Sequence, residues 1–248
     1  MRKKIRIDEL LVARGLSPSL EQARALLMAG SVWIGDVRID KAGSLVAWEA
    51  PIDLRVKRHP FVSRGGMKLQ GALEHFDIDV TDAVALDIGA STGGFTDCLL
   101  QRGARLVYAL DVGKGLLDWR LRNDTRVVLK EGYNIRHCNE GMFMLPIDIA
   151  TIDVSFISLK LVIPVAARFV RKGGTLIALI KPQFEARRAQ VAAGGVVRDV
   201  AVHQEVVKRI SDFCAAQEGM KVCGVGEAHP AGRDGNKEFF IHMEKADG

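Results

Sequence analysis

Apolar runs of four to six residues recur along the chain after residue 80, separated by amphipathic stretches. The runs Ala83–Ile88, Leu106–Asp111, Val127–Lys130, Ile149–Asp153, Thr175–Ile180, Val222–Glu227 and Glu238–Met243 read as strands. Phe95–Arg102, Leu116–Leu121, Leu159–Val170 and Val200–Gln217 carry helical periodicity. Alternating strands and helices predict an α/β fold with a mostly parallel sheet. The last two runs have no helix between them, so an antiparallel hairpin at one sheet edge is expected.

The first 55 residues follow a different rhythm. Asp8–Gly15 reads as a short helix stopped by glycine. Ser19 and Gln22 form a capping-box pattern that opens a second helix ending at Gly30. SVWIGDVRID alternates around Gly35-Asp36 as a hairpin does, and Ile52–Val56 supplies a closing strand. The polar, proline-containing RVKRHP and the residues after it read as a linker, placed at 59–67 between domains at 1–58 and 68–248.

Composition adds little until charge is mapped. Of 248 residues, 48% are hydrophobic and 26% charged, an ordinary globular balance. The net charge of +5 is uneven: residues 1–68 carry +6 and residues 69–248 carry −1. A basic appendage on a near-neutral body suits a polyanion. No apolar run reaches membrane-spanning length, and MRKKIRIDELL lacks the apolar core of a signal peptide, so a cytoplasmic protein without a membrane partner is expected. Cys98, Cys138, Cys214 and Cys223 are scattered without a C-x-x-C pair, so no metal site is expected.

The candidate chemistry begins at GASTGGFT, residues 89–96. It is one residue from a P-loop, with Phe95 where the phosphate-binding lysine belongs. It also departs from G-x-G-x-x-G, because Ser91 holds the second glycine position. Gly89, Gly93 and Gly94 allow close backbone approach to a ligand. Asp87 and Asp111 end consecutive strands, and an acid after the second strand can accept ribose hydroxyls. Ribose recognition without a phosphate clamp fits S-adenosylmethionine.

The acceptor is narrowed by what is absent. There is no Pro-Pro after the fourth strand, as base-amine methylation would use, and no Pro-Cys dipeptide for attack on a pyrimidine carbon. Asp153, Lys181 and Glu238 lie at strand ends, and Lys68 precedes the first strand. A partly desolvated lysine can deprotonate or polarise a ribose hydroxyl.

Two resemblances follow from these motifs. RIDELLVARG, ARALLMAGSV and IGDVR resemble the α-L RNA-binding domain, which implies structured RNA as partner. VSRGGMK, ALDIGASTGGFTDCLLQRG, ATIDVSFISLK, LIKPQFE, GVVRD and GNKEF resemble the TlyA group, known as hemolysins or ribosomal-RNA 2′-O-methyltransferases, with a catalytic domain similar to FtsJ/RrmJ. That resemblance implies a Rossmann-like S-adenosylmethionine-dependent methyltransferase fold, acting on cytidine ribose in small- or large-subunit RNA. It implies a catalytic tetrad of Lys68, Asp153, Lys181 and Glu238. It implies cofactor contacts from Asp87, Gly89, Ala90, Ser91, Gly93, Gly94, Phe95, Asp111 and Asn134, and RNA contacts from Arg6, Arg14, Arg24, Lys41 and Arg64. KEGYNIR keeps only part of the usual adenine-contact segment. Membrane-active hemolysin and non-catalytic ribosome assembly factor are the rival expectations.

Overall fold

The computed structural model describes residues 4–28, 30–54, 60–232 and 235–246. Arg2, Lys3, Val56 and the segment 55–59 of the expected linker region lie outside the described residues. The chain divides into two compact units, residues 1–58 and 59–248.

In the first unit, helices α1 (Ile7–Ala13) and α2 (Leu20–Met28) pack over two small antiparallel sheets. Strands β1 (Lys4–Arg6) and β4 (Leu45–Ala47) form one sheet; β2 (Val32–Ile34), β3 (Val37–Ile39) and β5 (Ile52–Leu54) form the other. Strands β1 and β4 escape sequence reading because three residues cannot establish a period. The Ser19 hydroxyl accepts from the Gln22 amide at 3.2 Å, as the capping pattern predicts. Ile7, Leu11, Ala23, Leu27 and Val32 form the core. A core this small leaves the unit marginal without further ties. Asp8 supplies one. It is fully buried and accepts from Arg6 at 2.9 and 3.0 Å and from Arg24 at 3.2 Å. The Arg6 guanidinium holds the Asp8 carboxyl down at about 2.

The second unit opens with α3 (Arg64–His75), where the sequence suggested the end of a linker. Phe61 is buried in the core and the Val62 amide donates to Asp97 at 2.7 Å, so residues 60–67 belong to this unit. Gly66 lies against Phe61 so closely that a Cβ would overlap the ring. Then follow β6 (Val84–Ile88), α4 (Gly94–Gln101), β7 (Leu106–Asp111), α5 (Trp119–Arg122), β8 (Val127–Glu131) and β9 (Ile147–Ile152). After them come α6 (Ile163–Phe169), β10 (Val170–Ile180), α7 (Pro182–Glu185), α8 (Val200–Ala215), β11 (Met220–Glu227) and β12 (Phe239–Lys245).

The seven strands run in the order β11-β12-β10-β9-β6-β7-β8. All pairings are parallel except those of β12, which is antiparallel to β10 and β11. The expected hairpin therefore forms the sheet edge. Apolar clusters cover both faces, one built on α6 and α8 and the other on α3 and α4. The strand order reverses between β6 and its neighbours β7 and β9, which puts the ligand crevice at the carboxyl ends of these strands.

Two expected helices are shorter than their periodicity suggests. Leu116–Leu121 shrinks to α5, which starts where Asp118 accepts the Arg120 amide. Leu159–Val170 splits into a 3-10 turn, Leu159–Leu161, and α6. Pro164 lacks a backbone donor and is tolerated only in the first turn of a helix, so α6 begins at that point.

Candidate active site

β6 delivers the first loop. Its residues are all buried, including Asp87, whose oxygens accept from Thr96 at 2.7 Å and Thr151 at 3.1 Å. Asp87 thus ties β6 to α4 and β9 from beneath and does not face a ligand. Burial pushes its carboxyl up to about 7, against the opposing pull of the two hydroxyls. A carboxyl raised in the fold contributes stability that is complete below its unfolded value and is lost as pH rises towards 7. Asp87→Asn is expected to flatten this dependence between about pH 4 and about pH 7, as thermal unfolding across that window would show.

Above Asp87 the chain turns through Gly89, Ala90, Ser91 and Thr92. Gly89 (φ 87°), Ser91 (φ 49°) and Gly93 (φ 97°) are left-handed. A Cβ on Gly89 would overlap the Asp153 carbonyl, and one on Gly94 would overlap the Ser63 hydroxyl. These glycines bring the loops after β6 and β9 together and draw α3 against α4. Phe95 is 3% exposed and its ring lies 6.1 Å from that of Phe240. The residue standing where a P-loop has lysine therefore points largely into the core.

β7 ends at Asp111, which ties two loops together. One oxygen accepts from the Ser91 amide and the other from the Gly113 amide, both at 2.7 Å. Each carboxylate oxygen keeps a further acceptor site, as a ribose diol requires. Asp111→Ala is expected to weaken nucleoside-cofactor affinity about 10- to 100-fold, measurable by calorimetry, because it removes hydroxyl acceptors and frees both loop amides. Asn134 accepts the Arg136 amide and so caps a 3-10 turn, Ile135–His137. It is not among the residues that line the cleft.

The cleft itself has a volume of about 710 Å³, within the usual range for a small-molecule site. Its wall includes Arg64 and Lys68 from α3, Gly89–Thr92, Gly94, Phe95, Asp153 and Gly232. Two lysine–carboxylate pairs stand at it. Lys68 Nζ donates to Glu238 Oε2 at 2.5 Å, with side chains 12% and 4% exposed. Lys181 Nζ lies 2.6 Å from Asp153 Oδ1 and donates to the Ser155 hydroxyl at 3.0 Å. These four residues come from positions 68, 153, 181 and 238, and the fold brings two of them, Lys68 and Asp153, to one cavity wall.

Several supporting residues were not singled out from the sequence. Gln183 Nε2 donates to Glu238 Oε1 at 3.1 Å. Gly232 backs Glu238 so tightly that a Cβ would overlap the carboxylate. Glu185 accepts from the Ser158 hydroxyl at 2.8 Å and the Leu159 amide at 2.7 Å, joining the loops that carry Asp153 and Lys181. Asn236 is 4% exposed; it accepts the Val197 amide and donates to Gly195, which docks GVVRD against GNKEF. The signal for these was present in LIKPQFE and GNKEF, where polar residues crowd a strand end.

The basic residues divide by environment. Arg6 and Arg24 share Asp8, yet their side chains stay 43% and 54% exposed. Arg14 donates to the carbonyls of Ala50, at 2.7 Å, and Trp48, so it holds the turn between β4 and β5. Lys41 is exposed. Arg64 is exposed at the cleft and donates to the Ala231 carbonyl at 2.9 Å.

A mostly parallel sheet with one reversed strand, a glycine-rich turn after the first strand without a lysine, and an acid closing the next strand belong to the Rossmann-like methyltransferase class. Comparison with known proteins narrows the class. The chain belongs to the FtsJ-like methyltransferase family, whose family model matches residues 61–245. It is similar to the Bacillus subtilis protein named "Putative rRNA methyltransferase YqxC", at 46% identity over 97% of this chain and 86% of that protein. It is 40% identical, over 98% of this chain and 91% of the relative, to "16S/23S rRNA (cytidine-2′-O)-methyltransferase TlyA" of Mycobacterium tuberculosis. A solved structure described as "Putative hemolysin from Streptococcus thermophilus" superposes with a TM-score of 0.76 at 43% identity, covering 100% of this chain and 90% of that one.

Proposed function

We propose that the protein transfers a methyl group from S-adenosylmethionine to the 2′-hydroxyl of a cytidine in ribosomal RNA. The observation that carries this reading is the placing of two partly buried lysine–carboxylate pairs at a cleft whose glycine loop has no phosphate-binding lysine. The names of the similar proteins support the ribosomal substrate.

Residues lining the cleft and Asp111, bonded to its wall residue Ser91, fit the cofactor. Asp111 offers acceptors for a ribose diol, and the left-handed Gly89 turn presents bare backbone to a ligand. When bound, S-adenosylmethionine supplies an electrophilic methyl on sulfur.

The chain's own groups then serve the acceptor. Lys181 draws or removes the hydroxyl proton, oriented by Asp153 and Ser155. Lys68, held by Glu238, places a second positive charge at the cleft wall. Holding hydroxyl and methyl in line supplies much of the acceleration. Phe156 is 90% exposed three residues after Asp153, and its ring lies 4.8 Å from that of Phe184. Such an exposed ring suits stacking of an unpaired base. The basic first unit would hold RNA mainly through phosphates.

Among the described residues, no helix is long and apolar enough to cross a membrane. Nothing at the cleft favours membrane lysis, and the two lysine–carboxylate pairs give a non-catalytic assembly role no support.

Mass spectrometry of nucleosides from ribosomal RNA of cells with and without the protein tests the proposal. The expected difference is 2′-O-methylcytidine, and methylation on the base instead would overturn it. The loop adds a second expectation. It should bind S-adenosylhomocysteine at least about 100-fold more tightly than ATP, because a triphosphate there meets no clamp. Equal affinity in a competition assay would overturn the phosphate-free reading of the loop.

A further inference from the structure

We infer that Gln183 is a positioning residue for methyl transfer: it holds the Glu238 carboxylate in the orientation that grips Lys68. The inference rests on the ribose-methylation reading above and extends it to a residue outside the lysine–carboxylate tetrad.

Gln183 stands two residues after Lys181, in the short helix α7. Its Nε2 donates to Glu238 Oε1 at 3.1 Å, while Glu238 Oε2 receives Lys68 Nζ at 2.5 Å. An ionised carboxylate only accepts, so the amide must present its NH2 group to Glu238. Gln183 Oε1 is then left buried with no hydrogen-bond partner among the described residues. A buried amide oxygen without a donor is unfavourable. Turning the amide over would aim that oxygen at a carboxylate, which is worse. The orientation is therefore dictated by Glu238 and not by the amide's own needs.

Glu238 is boxed on several sides. Lys68 and Gln183 each take one oxygen, and Gly232 closes against the carboxylate without a Cβ. Lys68 is the charged group that touches Glu238; Arg64 and Asp153 line the same cleft, and Lys181 pairs with Asp153. Without the amide, one oxygen of a nearly buried carboxylate loses its donor. Glu238 can then rotate about its bond to Lys68, and the lysine leaves its place on the cleft wall. Gln183 does this without touching the reacting atoms.

The test compares full-length wild type, Q183L and Q183E on unmodified ribosomal subunits with labelled S-adenosylmethionine. Q183L is expected to lower kcat about tenfold, with KM for RNA and cofactor affinity within about twofold. Q183E sets two carboxylates against each other, so its loss should be several-fold larger at about pH 8 than at about pH 6. A packing defect alone would reduce the rate equally across that range.

A second readout does not depend on turnover. Labelling of Lys68 by an amine-reactive reagent, followed by peptide mass spectrometry, should change at least about threefold in Q183L, with Lys208 unchanged. Unaltered kcat and pH profile together with unaltered Lys68 labelling would overturn the role of Gln183. If wild type transferred no methyl to ribosomal RNA, the ribose reading would fall, and the labelling result would still decide whether Gln183 positions Lys68.

Discussion

Replacing Lys181 by alanine is expected to lower methyl transfer by about 10²- to 10⁴-fold while leaving cofactor affinity within about twofold. The separation follows from geometry. Lys181 follows the end of β10, ion-paired with Asp153 and donating to the Ser155 hydroxyl. The loops proposed to cradle the cofactor follow β6 and β7, and none of the Ser91, Gly113 and Asp111 contacts involves Lys181. Lysine is required for a second reason. Lys181→Arg keeps the positive charge, but its planar fork does not fit a place built for a point charge. The arginine variant should therefore also lose most of its rate. Stopped single-turnover assays with labelled cofactor, beside calorimetric binding of S-adenosylhomocysteine, separate the two effects. Methyl incorporation at the wild-type rate by the alanine variant would sink the assignment. Retained activity in the arginine variant alone would reduce Lys181 to a polarising charge.

The parts of this fold that the sequence displays are those with a period or a stop signal. Seven apolar runs became seven strands; the central parallel ones, such as β6 and β9, are buried on both faces and read as continuous apolar stretches. The reversed β12 was legible because a βαβ crossover needs a helix, and none separates the last two runs. What periodicity could not show was where a helix is interrupted locally. Pro164 delays α6, and Asp118 sets the start of α5, each by a backbone contact invisible to hydrophobic pattern. The three-residue strands β1 and β4 were hidden for lack of length.

The candidate site was legible unevenly, for a related reason. Asp153, Lys181 and Glu238 stood out as charges at strand ends, and Lys68 as a lysine before the first strand. Asp87 looked equivalent to Asp111, since both are acids closing apolar strands. The alternation of β6 turns the Asp87 carboxylate towards Thr96 and Thr151, whereas Asp111 lies at the end of its strand and meets loop amides. In register Asp87 lies opposite Ala109, two residues short of Asp111, and that step along the sheet separates a buried tie from a carboxylate that meets loop amides. Phe95 was read as a missing lysine, but its place beside Phe240 gives it a packing reason of its own. Arg14 was read as an RNA contact and is also a cross-tie between backbone carbonyls. Sequence marks where charge is; it does not mark which charges are already engaged.

Gly89→Ala should be the most damaging single change to the cofactor loop. At φ 87° an alanine adopts a left-handed conformation, which costs about 1–2 kcal/mol. Its Cβ would also overlap the Asp153 carbonyl, a backbone atom fixed by the pairing of β9 with β6 and by the Asp153 amide bond to the Ile88 carbonyl at 2.9 Å. Neither partner can yield without moving a central strand. The least costly response is displacement of the loop, which would pull the Ser91 amide from Asp111 and shift Asp153 beneath Lys181. Cofactor binding should therefore fall by at least about 100-fold, with a loss of stability of about 2–4 kcal/mol. Gly71→Ala provides the contrast. It lies within α3, a Cβ there meets nothing within 4 Å, and its φ is not left-handed. That substitution should be neutral or stabilising by about 0.4–1 kcal/mol. Thermal unfolding and calorimetry on the two variants would measure both effects. Tight cofactor binding by Gly89→Ala would mean that the loop does not need its close approach to Asp153, and that the cradle lies elsewhere.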